Sequence, residues 1–373
     1  MRVAIAGAGI AGLTSAIALA VRGFQVDLYE RAPVLEEIGA GIQLSPNGMA
    51  VLDRLGVAKE LAGRFSEPKA LVVRDAASGL TLARVPLGKT VRERYDAPYC
   101  TLHRADLQAA LLATARRHAS IAFHLSSDVG DVSVTEMDVA FTAGGERRRS
   151  ELLIAADGVH SAIRTELFRH PGPTSFGRSA WRAVLPVESA ANRVSLDEVG
   201  LWLGAGGHLV HYPIAGGAKL NVVVIAAGET SKPTVAPFAG AARRLIDDIA
   251  SWELSPLVGV DPSRSWTAGR VALIGDAAHA MAPSAAQGGA QAIEDAWALA
   301  AAIAREPSDP PAAIAAYELV RKPRVERVGR MSSRNLQLYE MRGVPALLRN
   351  SLLRVLPARL LISQLDWLYG SHS

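Results

Sequence analysis

The chain begins with an apolar run, VAIAGAG, that suits a buried parallel strand, followed by GLTSAIALAVRG, whose apolar positions recur at helical spacing. Gly23 is placed to end that helix as a C-terminal cap. In FQVDLYE the pattern changes to alternation, with Val26 and Leu28 on one side and Glu30 at the end. Strand, helix and strand in this order predict a βαβ unit at the head of a parallel sheet.

GAGIQLSPNGMAVLDRLGV then reads as a glycine-rich loop leading through Pro46 into a helix. Residues 71–100 alternate apolar and polar positions between turn signals, which predicts short antiparallel strands. HRADLQAALLATARRH predicts a helix, and LLIAADGVHSAIR a strand that ends in a polar turn. From Trp181 to Ala227 the pattern is again that of strands, with Gly216-Gly217 marking a hairpin. Residues 266–276 predict a last core strand, and the remainder of the chain is mostly helical in pattern. The predicted fold class is α/β: a Rossmann-like dinucleotide-binding domain, an inserted and mostly antiparallel β domain, and C-terminal helices. The expected boundaries are 1–70, 101–165 and 262–300 for the first domain, 71–100 and 166–261 for the second, and 301–373 for the helical region.

Composition narrows the function. With 373 residues the chain can enclose a large ligand, and 49% hydrophobic against 20% charged residues fits a globular enzyme. Its net charge is only +4, and Arg147-Arg148-Arg149 follows Gly144-Gly145, so these arginines read as a solvated hairpin face and not a nucleic-acid site. A modest positive field still favours anionic substrates. The single cysteine, Cys100, excludes an intrachain disulfide and fits a reducing, cytoplasmic setting. Val3 to Val21 is uncharged, yet its glycines, Thr14 and Ser15 argue against a membrane span or signal segment. Leu347 to Leu365 is leucine-rich and broken by Arg349, Arg354, Pro357 and Arg359. It predicts an amphipathic helix pair that packs or forms a homodimer, with peripheral membrane contact as the alternative and no stable insertion.

The chemistry starts at Gly7-x-Gly9-x-x-Gly12. Gly7 permits a tight turn, Gly9 lets the backbone reach a pyrophosphate, and Gly12 brings helix and strand close, with the helix amino end attracting phosphate. Glu30, 18 residues past Gly12, suits a ribose diol. Ala11, inside the turn, and Arg31, after the acid, belong to the same expected set. This motif alone leaves NAD and FAD open. Asp276, at the carboxyl end of the last core strand, sits where open α/β sheets bind ligands. FAD carries a ribityl chain whose hydroxyls a second acid can accept, whereas a nicotinamide-only enzyme has no evident use for one. The alternative for Asp276 is a helix cap. Gln287-Gly288-Gly289 starts a helix whose Ile293, Trp297 and Ala300 form its buried face. Its amides suit the pyrimidine edge of a flavin, or the two glycines serve close packing. Glu294 and Asp295 are expected to complement the helix dipole. No metal site is expected.

Taken together, the glycine motif, AADGVHSAIR and GDAAHAMAPSAAQGGAQAIEDA resemble the single-component FAD-dependent aromatic hydroxylases, a family of flavoprotein monooxygenases, nearest to its salicylate and 3-hydroxybenzoate hydroxylase-like members. GAGIQLSPN, HRADL, Tyr212-Pro213 and the terminal WLYG extend the resemblance over nearly the whole chain. The resemblance implies that Asp157, Gly158 and Arg164 form a second motif associated with FAD and the reduced nicotinamide. It implies that Arg104 contacts FAD, with a surface helix charge as the alternative, and that His211 lies at the substrate as a base toward a phenol. A structural role in the sheet is the alternative for His211, while His208, three residues earlier, is expected to point to the opposite face. Gln43, Tyr99, Tyr212 and Pro283 are the expected substrate residues, with packing as the alternative for Gln43 and Tyr99. Ala286 departs from the glycine that many relatives carry there, which predicts a differently seated loop.

The implied activity is hydroxylation of a small aromatic substrate, with NADH or NADPH reducing FAD and O2 captured as a flavin hydroperoxide. Alternatives are an epoxidase or a hydroxylase of heterocyclic or polycyclic compounds, and a non-catalytic flavin-binding protein.

Overall fold

The computed structural model describes residues 1–35, 40–190, 192–234 and 237–370. Gly39, at the head of the predicted glycine-rich loop, lies outside them. The βαβ unit forms as predicted, with strands Arg2–Ala6 and Gln25–Tyr29 around the helix Ile10–Ala20. They belong to a six-stranded sheet in the order Thr267–Ala268, Val271–Leu273, Leu152–Ala155, Arg2–Ala6, Gln25–Tyr29, Ile121–His124. All its pairs are parallel except the first. The register aligns Ala6 with Ala155, and Ala155 with Leu273, so three distant stretches of chain end at one crest of the sheet. The predicted strand over 266–276 is shorter than expected, because Gly269 takes φ +56 and turns the chain between its two halves.

A seven-stranded sheet stands against this domain, in the order Glu253–Gly259, Thr174–Pro186, Lys219–Ala226, Gly207–Ile214, Glu198–Gly204, Ala70–Asp75, Thr81–Pro86. Its one parallel pair joins Ala70–Asp75 to Glu198–Gly204. The hairpin at Gly216-Gly217 forms, both glycines taking positive φ. Within 71–100 the strands are interrupted by a helix, Gly88–Tyr95, which the alternation did not predict. Its polar sequence GKTVRERY buries only Val91 and Tyr95, one turn apart, so the apolar signal is too sparse to show. The strand Cys100–His103 joins Gly41–Leu44 and Phe65–Ser66 in a small sheet between the two large ones. Arg147, Arg148 and Arg149 lie on the exposed strand Glu146–Ser150.

The seven-stranded sheet is covered on both faces. Its back, carrying Trp181, Trp202, Leu209, Val222 and Val224, packs under the helix Gly240–Asp247. Its front carries Val210, Tyr212 and Ile214 and meets Tyr99 and the C-terminal helices. The helix Pro310–Tyr339 runs beside the first domain, and among the described residues no helix is long and apolar enough to cross a membrane.

His211 is fully buried on the back face, opposite Gly200, where a Cβ would stand 2.0 Å from its Nε2. Burial, with Arg74 nearby, lowers its pKa from 6.5 to about 3. The folded chain therefore refuses a proton that the unfolded chain accepts. The stability this represents is complete above about pH 6.5 and is lost as pH falls toward the folded value. Replacing His211 by Leu is expected to flatten the stability–pH slope by about 1.4 kcal/mol per pH unit between roughly pH 6 and 4, read from urea melts. An unchanged slope would contradict the neutral buried state.

Candidate active site

The first chemical element is the turn after Arg2–Ala6. Gly7 has φ +98, and a Cβ there would meet the Ala156 carbonyl at 2.5 Å. At Gly12 a Cβ would stand 1.8 Å from the Gly7 carbonyl oxygen. Both positions exclude any side chain. Gly9 differs: a Cβ there meets nothing within 4 Å, and no side chain caps the helix it begins. Open space in front of uncapped helix amides suits a phosphate. Glu30 braces the turn, accepting hydrogen bonds from the Ala8 amide at 2.8 Å and the Ala32 amide at 3.0 Å. Arg31 is exposed beside it. Arg104 opens the helix Arg104–Ala115, and Gln108, one turn later, donates to the Ala8 carbonyl at 3.5 Å, so this helix end borders the same cleft.

The second element is the loop after Leu152–Ala155. Asp157 accepts from the Ile163 amide at 3.4 Å, and burial raises its pKa. Gly158 takes φ +81 with open space at its Cβ position. Arg164, fully buried, donates to the Val159 carbonyl at 2.7 Å and to the Ala277 carbonyl at 3.0 Å, which ties this loop to the third element.

That third element follows Val271–Leu273. A Cβ on Gly275 would stand 3.0 Å from the Ala11 methyl and 3.3 Å from that of Ala292, so the chain passes tightly between the first helix and the helix Gly288–Arg305. Asp276 emerges exposed beside the glycine turn. Further on, Pro283 is exposed in a short 3-10 turn, and Ala286 takes φ +52, a conformation in which glycine is less strained. The helix then begins with Gly288, whose Cβ position is open, and Gly289, where a Cβ would meet Ile42 Cδ1 at 2.8 Å. No side chain caps this helix.

The aromatic side of the site is built on the front sheet face. Tyr99 donates to Gln43 Oε1 at 2.6 Å, and Asn221, opposite Tyr212, accepts from the Gly41 amide at 2.7 Å. Burial pushes the Tyr99 hydroxyl well up, reinforced by Tyr369, Tyr212 and Tyr339 close by. Tyr212 is likewise raised by burial. Gln43, Tyr99 and Tyr212 are thus brought together, next to the strand whose Ile42 touches Gly289. A cleft lined by Ala40, His103, Arg182, Lys219 and Glu253 opens beside them.

His211 is not part of this group. It projects to the back, toward Trp202, whereas alternation puts His208 on the front with Tyr212. The expectation that the two histidines oppose each other is met, but the faces are the reverse of those expected. The ring of His208 packs edge-on against Tyr339, and its Nδ1 lies 3.8 Å from Glu340. Glu294 and Asp295 also depart from the expectation that they complement the helix dipole: both lie beyond the first turn, are fully buried and engage Arg321.

Three strand ends, an uncapped helix start with open space at Gly9 and an exposed acid at the third strand end fit one extended dinucleotide. A family model described as the FAD binding domain matches residues 1–332. The chain is 35% identical to 3-hydroxybenzoate 6-hydroxylase of Polaromonas naphthalenivorans (strain CJ2), over 99% of this chain and 95% of that protein. It is also 35% identical to 6-hydroxynicotinate 3-monooxygenase of Bordetella bronchiseptica (strain ATCC BAA-588 / NCTC 13252 / RB50), over 90% and 92%. A solved salicylate hydroxylase substrate complex superposes with a TM-score of 0.83 at 26% identity, covering 100% of this chain and 95% of that one. The chain belongs to the FAD-binding monooxygenase family. Within it, the protein is an FAD-dependent aromatic hydroxylase.

The glycines separate folding from binding. Gly9→Ser supplies a good helix cap, so the apoprotein melts no lower than the parent, while FAD affinity falls at least about tenfold because the side chain enters the phosphate space. Fluorescence titration and thermal melts check this. Loss of stability with unchanged affinity would contradict it.

Proposed function

We propose that the protein hydroxylates a small phenolic aromatic acid of the hydroxybenzoate type, held against the front face of the seven-stranded sheet. The observation that carries this is the convergence of Tyr99, Gln43 and Tyr212 beside the strand that touches Gly289. The aromatic acids named for the two relatives support the size and charge of the substrate.

Gly7, Gly9, Ala11 and Gly12 hold the pyrophosphate of FAD, with Arg104 supplying positive charge at the facing helix end. Glu30 keeps the turn in shape and has lone pairs left for the ribose, with Arg31 at the rim. Asp276 accepts the ribityl hydroxyls, and the Gly288 and Gly289 amides face the pyrimidine edge. Asp157 and Gly158 close the middle of the cleft. FAD held there would supply the redox chemistry that couples oxidation of NADH or NADPH to insertion of one oxygen atom of O2 into the aromatic ring, the other atom leaving as water. Tyr99, Gln43, Tyr212 and Pro283 orient that ring and exclude water.

His208, and not His211, is the acceptor of the phenolic proton. Burial, with Arg178 nearby, lowers its pKa to about 3, so it stands neutral but is a weak base until a negative charge, such as that of the substrate carboxylate, lies beside it. Glu340 Oε1 lies 3.8 Å from Nδ1, where an ionised carboxylate would stabilise the imidazolium, although burial raises the pKa of Glu340 itself. A cytoplasmic setting agrees with the one buried cysteine. Self-association into a homodimer agrees with the exposed Leu347, Leu348 and Leu352.

A second reading, a hydroxylated pyridine acid as substrate, is favoured by the equal identity to the hydroxynicotinate enzyme. A panel of hydroxybenzoates and hydroxynicotinates, tested for stimulated NADH and NADPH oxidation with product mass measured, separates the two. Failure of every aromatic acid would overturn both. Asp276→Ala is expected to weaken FAD binding about tenfold or more, with unchanged affinity as the contrary result. His208→Asn should lower kcat about a hundredfold with FAD affinity retained, while His211→Leu hydroxylates normally. The reverse pattern would return the base role to His211.

A further inference from the structure

Between the helices Gly288–Arg305 and Pro310–Tyr339 lies a group of buried charges that cofactor and substrate binding leave unexplained. Asp295 accepts from the Gly275 amide at 3.1 Å and from Arg321 Nε at 2.8 Å, and His279 Nε2 lies 2.5 Å away. Glu294 accepts from Asn47 at 2.6 Å and from Arg324 at 2.8 Å on each of its two oxygens, and it also pairs with Arg321. Two acids thus balance two arginines.

One end of this group is fixed to Gly275, the residue before Asp276. The other end reaches the C-terminal turn. Arg324 donates to the carbonyl of Trp367 at 2.9 Å and to that of Leu368 at 2.8 Å. The next residue, Tyr369, is buried in the aromatic cluster, its ring centroid 6.3 Å from that of Tyr99 and 5.5 Å from that of Tyr95. The far side of the same turn is held at Asp366, which accepts from Arg94 at 2.6 and 2.8 Å and from Tyr95 at 2.6 Å. A planar guanidinium that serves a carboxylate and two successive carbonyls at once fixes position in a way that apolar packing does not.

We propose that Arg324 is a positioning residue that sets Tyr369 as the end wall of the aromatic site, tied through Glu294 to the flavin-side helix, and so limits the size of aromatic acid accepted. The inference rests on the front-face substrate site proposed above. It assigns a specificity role to residues of the C-terminal turn.

The test uses the FAD-loaded protein and two probes, 3-hydroxybenzoate and 1-hydroxy-2-naphthoate, with Kd read from perturbation of the flavin absorbance and therefore independent of turnover. In Arg324→Met the preference for the smaller acid should fall about tenfold, FAD affinity should hold, and Tyr369→Ala should shift the preference in the same direction. Arg324→Lys keeps the charge but not the fork and should restore part of the preference. An unchanged size ratio in Arg324→Met overturns the inference, as does a loss of FAD affinity and stability without a change of ratio. Should that variant fail to fold, Asp366→Asn loosens the same turn from its half-exposed side, and an unchanged ratio there is equally decisive. Parent protein that binds neither probe counts against the substrate site itself, and the inference falls with it. Parent binding with unaltered variants overturns the inference alone.

Discussion

The whole site depends on one close contact, that of Gly12 on the carbonyl of Gly7, where a single methyl group would stand 1.8 Å from oxygen. This contact lets the first helix start directly above the first strand and keeps its amide end open. Gly275 extends the same close packing to the third strand end, slipping between the methyl groups of Ala11 and Ala292. Because the register aligns Ala6, Ala155 and Leu273, the glycine turn, the Asp157 loop and Asp276 share one crest, although 269 positions separate Gly7 from Asp276 in sequence. A parallel sheet built from distant strands brings the three strand ends to one edge, the place where sheets of this kind bind ligands.

The second sheet supplies what the first cannot. Its front face is joined to the cofactor domain at the bond from the Gly41 amide to Asn221, so aromatic side chains sit within reach of the helix that Gly288 begins. Its back face is an ordinary apolar core that holds His211 uncharged. Between the two functions runs the buried ion group around Arg321 and Arg324. Taking four charges out of water costs several kcal/mol per ion, which good geometry and extra hydrogen bonds offset only partly, so stability alone is a poor reason for it. Fixed relative placement of loop, helix and C-terminal turn is the better one.

Much of this was legible in the chain. The βαβ unit, the glycine pattern and the late aspartate carry strong local signals, because close backbone contacts and helix amide ends demand particular residues at particular spacings. The face of a strand is harder to read. Alternation separates His208 from His211 correctly, but in a strand apolar on both sides nothing local tells which face meets the ligand. Glu294 and Asp295 were obscure for a related reason: their partners lie 27 and 26 residues away on another helix. A hint was present in two adjacent acids within a helix otherwise apolar except for Gln291 and Arg305, and in Arg321 and Arg324 spaced for one helical face. The helix Gly88–Tyr95 escaped because only two of its side chains are buried.

The central claim is that a single FAD bridges these three strand ends. Hydrogen–deuterium exchange of the apoprotein and the FAD-loaded protein tests it most directly. The account predicts that FAD protects amides of residues 7–13, 157–163 and 275–289 together, with the helix Gly240–Asp247 on the back face unaffected. Protection confined to one of the three segments, or centred on the back face, would contradict it.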